Sequence, residues 1–273
     1  MTDSSRPAPS LPDAPAAVRD DDHAFAAWAA TAAGDLLTEV RAQGLEGKEL
    51  KDAGDLAAHD LLMAICAEHR PDDAVMSEES RASIDDTSRL EAHRVWIIDP
   101  LDGTREFSEP PRDDWAVHVA LWTRTGADGG ELTVGAVAQP GIGTTFSTGE
   151  PPQVPPRSSK RPRIAVSRTR PPTWVEALAD ELDCELVPMG SAGAKVISVV
   201  RDVSDAYLHS GGQYEWDSAA PVAVARAAGL HTSRIDGSPL VYNQQDVLLP
   251  DLVVCRPELA DLLLDYIERH GIQ

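Results

Sequence analysis

Four apolar residues, Val95-Trp96-Ile97-Ile98, run directly into Asp99-Pro100-Leu101-Asp102-Gly103-Thr104-Arg105-Glu106-Phe107. A short apolar run closed by a turn signal predicts a buried strand. The chain must therefore deliver two carboxylates, three positions apart, at the end of a core strand. Pro100 forces a turn between them, and Gly103 and Thr104 offer free backbone N–H groups where a helix could begin. Hard cations need oxygen ligands and phosphate needs donors, so this arrangement suits a metal–phosphate site. Taken alone, the same residues also suit an acidic turn after a core strand. Spacing excludes two other phosphate or metal motifs. An aspartyl-phosphate phosphatase needs its two aspartates one residue apart, and two intervene here. An EF-hand loop starting at Asp99 needs Glu at its twelfth position, which is Pro110.

Two further segments carry acids in informative places. Gln213-Tyr214-Glu215-Trp216-Asp217-Ser218-Ala219-Ala220 reads as a helix start with a carboxylate in its first turn, a pattern that plain N-capping also explains. Val75-Met76-Ser77-Glu78-Glu79-Ser80 places adjacent acids after a short apolar strand; by itself that is a solvated turn.

The rest of the chain alternates helical and strand patterns. Residues 1–19, rich in Pro, Ala, Ser and Asp, predict a flexible tail. Asp20-Asp21-Asp22 opens a helix marked by Phe25, Trp28, Ala32, Leu36 and Val40 and ended by Gly44. A second helix is expected over 55–69, stopped by Pro71. Strands are expected over 116–123 and 132–139. The segment 150–163, EPPQVPPRSSKRPR, has no periodicity and marks a domain boundary. It separates an N-terminal half, 20–150, from a C-terminal half, 164–273, with 151–163 as the linker. Beyond it the pattern predicts a strand at 163–167, helices at 173–182 and 192–201, a short strand at 206–209 and a helix at 217–228 ended by Gly229. Such alternation implies a layered α/β fold in both halves.

Composition narrows the function. With 273 residues and 42% hydrophobic content the chain can bury a large core without staples. Its 45 acidic and 24 basic residues give a formal charge of -21, which argues against a nucleic-acid polymer as partner. A small anionic substrate stays open, because divalent cations held by carboxylates reverse the local field. Cys66, Cys184 and Cys255 lack metal-ligand spacing and read as buried free thiols in a reducing compartment. No stretch reads as a signal peptide or membrane span, so a cytoplasmic enzyme is expected. His59, His69, His93, His118, His209 and His231 are scattered and read as structural. Trp28, Trp115, Trp122 and Trp174 read as core or interface packing.

Asp-Pro-x-Asp-Gly-Thr, the upstream Glu-Glu after a strand and the downstream Trp-Asp-x-Ala-Ala together resemble the inositol monophosphatase superfamily of lithium-sensitive phosphatases. The resemblance extends from about residue 23 to 260. Within the superfamily, Arg105-Glu106-Phe107 after Gly-Thr, and Ser191-Ala192-Gly193-Ala194-Lys195, resemble the CysQ-type 3′(2′),5′-bisphosphate nucleotidases. The resemblance implies an α/β/α/β/α sandwich, often a homodimer. It implies Mg²⁺-dependent hydrolysis of 3′-phosphoadenosine 5′-phosphate to AMP and phosphate, serving sulfate assimilation. Inositol monophosphatase or fructose-1,6-bisphosphatase-type sugar phosphatase activity on the same fold is the alternative.

Carried over by position, the resemblance assigns Glu78, Asp99 and the Leu101 carbonyl to a first Mg²⁺, and Asp99, Asp102 and Asp217 to a second. A third ion in some members lies near Glu78 and Asp55. It makes Asp55 and Thr104 the catalytic pair beside the attacking water and gives the phosphate to the amides of Gly103 and Thr104. Arg105 is implied for a second phosphate, Arg168 for the base or 5′-phosphate, and Ser191, Gly193, Lys195 and Glu215 for the leaving group. One departure stands out. Many relatives read Ser-Pro-Val-Thr-x-Ala-Asp before the second helix, where this chain has Glu49-Leu50-Lys51-Asp52-Ala53-Gly54-Asp55. The final Asp is kept, and Lys48 and Lys51 either lie over the site or are solvated.

Overall fold

The computed structural model describes residues 10–80, 84–126 and 129–272. Residues 1–9 of the expected tail lie outside the described residues; among those described, Ala16–Arg19 forms a single 3-10 turn with Val18 buried. Arg70 Nη2 donates to the Val18 carbonyl at 2.9 Å, which ties that turn down.

Helix α1 (Asp22–Arg41) is capped by Asp21, whose side chain accepts the His23 and Ala24 amides. Its buried face runs through Phe25, Ala29, Ala33, Leu37 and Val40, so Trp28, Ala32 and Leu36 flank the stripe rather than centre it. Helix α2 (Gly47–His69) begins eight residues earlier than expected. The segment that departs from the family pattern is therefore helical. Glu49, Leu50, Lys51 and Ala53 are good helix formers, and Lys48 pairs with Asp52 at 2.5 Å one turn on. That pair is largely exposed and lies on the surface.

The first sheet runs β1 (Ala74–Ser77), β2 (Arg94–Asp102), β3 (Ala116–Arg124), β4 (Gly130–Gln139) and β5 (Thr144–Ser147) in spatial order. Only the β1–β2 pair is parallel. A single turn, α3 (Thr104–Phe107), follows β2. The second sheet has the order β7 (Glu185–Met189), β6 (Arg163–Ser167), β8 (Ala206–Tyr214), β10 (Leu248–Cys255), β9 (His231–Ser233). Strand β8 is longer than expected because Gly211 and Gly212, at φ +107° and +87°, let it turn and still pair Tyr214 with Leu248. The remaining helices are α4 (Val175–Glu181), α5 (Ala192–Val200), α6 (Glu215–Ala227) and α7 (Pro257–Arg269).

Alternation along the strands sorts the side chains into three apolar layers. Trp96, Ile98, Val117 and Val119 face α1 and α2. Val95, Ile97, Ala120 and Trp122 face the other way, onto α5 and α6, and meet Ala165, Tyr207 and Val254 of the second sheet there. Ile164, Leu208 and Val253 point outward onto α4 and α7. The order is α/β/α/β/α, as expected. The middle layer is common to both sheets, so the halves divided by the proline-rich segment share one core.

Candidate active site

Strand β2 does not stop at Asp99; it continues through Asp102 with a register shift against β3. Gly103 then takes φ +86°, a left-handed turn that a side chain would strain, and α3 begins. This brings Asp99 and Asp102 to one end of the sheet while both stay buried. Asp99 Oδ1 accepts the Leu101 amide at 3.0 Å. Its Oδ2 is buried with no N–H or hydroxyl donor in bonding range; the group able to share a proton with it is the Glu78 carboxyl. Burial, then the charges of Glu78, Asp102 and Asp217, hold the Asp99 carboxyl well above the usual carboxylate range.

Glu78 follows β1, its amide bonded to the Ile98 carbonyl at 3.2 Å. The residue remains open to water, yet the protein crowded round its carboxyl, with Asp217, Glu79 and Asp102 nearby, pushes it up to about 8. Asp217 lies in the first turn of α6, where its Oδ2 accepts the Tyr214 amide at 2.6 Å. Burial and then Asp102 push it up to about 7. Four acids from three segments thus crowd together, each disfavouring charge on the others. An unpaired buried carboxylate oxygen and an all-oxygen donor set are what a hard divalent cation satisfies. The residues fit such an ion.

Asp102 has a second attachment. Its Oδ2 accepts the Gly193 amide at 2.6 Å and the Ser191 hydroxyl, and its Oδ1 accepts the Ala192 amide at 3.2 Å. Ser191 in turn caps α5 by accepting the Ala194 amide. The carboxylate therefore lies on the N-terminus of α5, where the helix dipole favours negative charge.

Asp55 and Thr104 are brought together from α2 and α3. Gly54 makes this possible, because a Cβ there would lie 2.6 Å from the Phe107 ring. The Thr104 hydroxyl donates to the Leu101 carbonyl at 3.3 Å and stands beside the Asp55 carboxyl. Burial, and then Glu79, raise the Asp55 carboxyl to about 7, with Thr104 acting in the other direction.

A cavity of about 990 Å³ opens beside these acids, with Asp102 and Asp217 on its wall. Gly103, Thr104, Arg105, Ser191 and Lys195 line it as well. The Lys195 ammonium is bonded to the carbonyls of Gly190 and Ser191 and lies 5.0 Å from the Tyr207 ring centre. Burial lowers its pKa, although Asp102, Glu106 and Asp217 act in the other direction.

Two expected substrate contacts are placed elsewhere. Glu215 is buried, with its oxygens accepting the Asn243 and Gln244 amides at 2.6 and 2.7 Å. It turns away from the cavity toward the loop after β9, where the buried Asn243 amide needs an acceptor. Arg168 is not on the cavity wall; Glu106 and Glu109 hold it at 2.8 and 2.6 Å. Its neighbours Ser167, Thr169 and Arg170 line the cavity instead. The bend Ser210-Gly211-Gly212-Gln213 and the rings of Tyr207 and His209 also line it and were missed. The glycine pair was the available signal. His118, read as structural, stands against the acids: its Nε2 is 3.3 Å from Asp102 Oδ2 and its Nδ1 4.0 Å from Asp99 Oδ2.

Carboxylates from both halves, meeting at one end of a cavity in an α/β/α/β/α sandwich, define a layered α/β enzyme with a candidate divalent-metal centre. The chain belongs to the inositol monophosphatase family, whose model matches residues 20–271. It is 52% identical over 255 residues to the 3′-phosphoadenosine 5′-phosphate phosphatase of Mycobacterium leprae, covering 90% of this chain and 93% of that protein. Among solved structures, CysQ from Bacteroides thetaiotaomicron matches with a TM-score of 0.69 at 25% identity, over 85% of this chain and 96% of that one. Inositol monophosphatase II from Staphylococcus aureus matches with a TM-score of 0.74 at 22% identity, over 91% and 96%. The last likeness speaks to the fold alone.

Proposed function

We propose that this chain is a Mg²⁺-dependent 3′(2′),5′-bisphosphate nucleotidase that converts 3′-phosphoadenosine 5′-phosphate to AMP and phosphate. The observation that carries the chemistry is the convergence of Glu78, Asp99, Asp102 and Asp217 beside the cavity. The similarity to the Mycobacterium leprae phosphatase supports the substrate.

Glu78, Asp99, Asp217, one face of Asp102 and the Leu101 carbonyl would hold two or three ions. Bound there, Mg²⁺ supplies positive charge against the phosphate oxygens and acidifies water. Asp55, with its proton affinity raised and Thr104 orienting it, accepts a proton from the attacking water. The amides of Gly103 and Thr104 donate to phosphate oxygens, which gives charge stabilisation without reorganisation. Lys195 and Arg105 line the cavity and complement the anionic remainder of the substrate.

A role in sulfate assimilation, lithium sensitivity, a homodimer and a cytoplasmic location complete this reading. The three buried free thiols suit a reducing compartment, and no helix among the described residues is long and apolar enough to cross a membrane. The test is phosphate release with Mg²⁺ from 3′-phosphoadenosine 5′-phosphate, inositol 1-phosphate and fructose 1,6-bisphosphate. A preference of about a hundredfold for the nucleotide, some 2.7 kcal/mol in transition-state binding, is the expected outcome. Equal hydrolysis of the inositol or sugar phosphate would overturn the substrate assignment and leave the metal chemistry standing.

A further inference from the structure

His118 lies directly opposite Asp99 across the β2–β3 pair, and it is completely buried. Its Nδ1 is 3.1 Å from the Trp216 carbonyl. A carbonyl only accepts, so Nδ1 carries the proton and donates it there. That carbonyl immediately precedes Asp217, in the first turn of α6. The other ring nitrogen, Nε2, has no hydrogen-bond partner. It faces Asp102 Oδ2 at 3.3 Å and abuts Gly193, where an added Cβ would come within 2.0 Å of it. The glycine backbone therefore packs against the Nε2 edge, while the ring's hydrogen bond runs from Nδ1 to the start of α6.

What the ring does touch is informative. One edge meets the start of α6, next to Asp217. The opposite edge meets the start of α5, at the residue whose amide binds Asp102. A single side chain from the first sheet thus spaces two helix N-termini of the second half of the chain.

We propose that His118 is a positioning residue that sets the separation of Asp102 and Asp217, and through it the affinity for the divalent cation they share. The inference rests on the metal reading above. Its working contact is the Nδ1–H bond to Trp216, which fixes the rotation of the first turn of α6. The close-packed edge at Gly193 sets the distance to α5, since packed interiors transmit small displacements.

The experiment is a calorimetric titration of the full chain with Mn²⁺, without substrate, comparing wild type with His118→Asn, His118→Gln and His118→Leu. The Asn side-chain amide can occupy the Nδ1 position; that of Gln reaches toward Nε2. We expect His118→Asn to bind within about threefold of wild type, and His118→Gln and His118→Leu to bind at least tenfold more weakly. A tenfold loss corresponds to about 1.4 kcal/mol. A thermal melt in chelator establishes that each variant is folded. If His118→Leu does not fold, the Asn and Gln pair decides. Binding by His118→Gln equal to wild type, or by His118→Asn as weak as by His118→Gln, overturns the proposal. Absence of Mn²⁺ binding by wild type overturns the metal reading itself, a separable outcome.

Discussion

Asp102 accepts the Gly193 amide at 2.6 Å, so a carboxylate ending a strand of the first sheet caps a helix of the second half. The same carboxylate is a candidate metal ligand, which ties the stability of α5 to the chemistry. Asp99 caps no helix; its Oδ1 accepts the Leu101 amide two residues on. Asp102→Ala is therefore expected to cost about 1 kcal/mol as a lost cap, or roughly 2–4 °C in thermal midpoint, besides activity. Asp99→Asn and Asp217→Asn are expected to reduce phosphate release by at least about a hundredfold. Their midpoints in chelator should equal or exceed wild type, because each replaces an acid whose ionisation its crowded neighbours disfavour. Near-normal turnover in either variant sinks the mechanism.

Glu215 accepts the Asn243 and Gln244 amides of the loop after β9, and its contribution is expected to be to that loop. Glu215→Ala strands the buried Asn243 amide and removes the partner of the Gln244 amide, at a cost of about 2 kcal/mol. Denaturant unfolding should register that loss, with KM for the nucleotide little changed in the surviving folded enzyme. A large rise in KM at unaltered stability would return Glu215 to the substrate contacts.

Arg168 and Arg170 lie two residues apart and differ in their company. Glu106 and Glu109 neutralise Arg168, whereas Arg170 stands on the cavity wall. Arg170→Ala is expected to raise KM for a bisphosphorylated nucleotide about tenfold, near 1.4 kcal/mol, and to leave a monophosphate substrate almost unaffected. Steady-state kinetics on the two substrates distinguish this from a general loss of activity.

Asp22 predicts an acid-side instability remote from the site. Burial alone would raise its pKa, but hydrogen bonds from Arg94 and Arg70 outweigh that and hold it below its ordinary value of 3.8. A carboxyl with a depressed folded pKa contributes stability at pH above its unfolded value and loses it as pH falls through the folded one. Asp22→Asn should therefore lower the thermal midpoint at pH 7 by roughly 2–4 °C per kcal/mol lost. The gap from wild type should close below about pH 4. A constant gap from pH 7 to pH 3 would show that the ion pairs are not its source.

Much of the fold was legible because amphipathic helices and apolar strands announce themselves by period. Residues 95–98, 116–123 and 192–201 fall where their patterns place them. The start of α2 was not legible, because the departure from the family pattern over 49–55 obscured residues that favour helix. Strand β10 and helix α7 went unassigned, although Leu259, Leu263, Tyr266 and Ile267 give α7 a clear buried stripe. Among site residues, the acids carried strong local signals. The partners of Glu215 and Arg168 were not legible because direction is invisible in sequence: each bonds a residue more than twenty positions away. The contacts of His118 were hidden for the same reason, since its neighbours come from two distant helix starts.

The middle helical layer has a further consequence for the chain as a polymer. Trp122 and Val137 of the first sheet, Val222 of α6 and Val254 of the second sheet belong to one apolar cluster, while the segment between β5 and β6 runs exposed past Arg157. Severing the backbone there would remove covalent continuity without opening that cluster. The two pieces would behave as complementary fragments, neither owning a closed interior, and catalysis would be a property of their reunion.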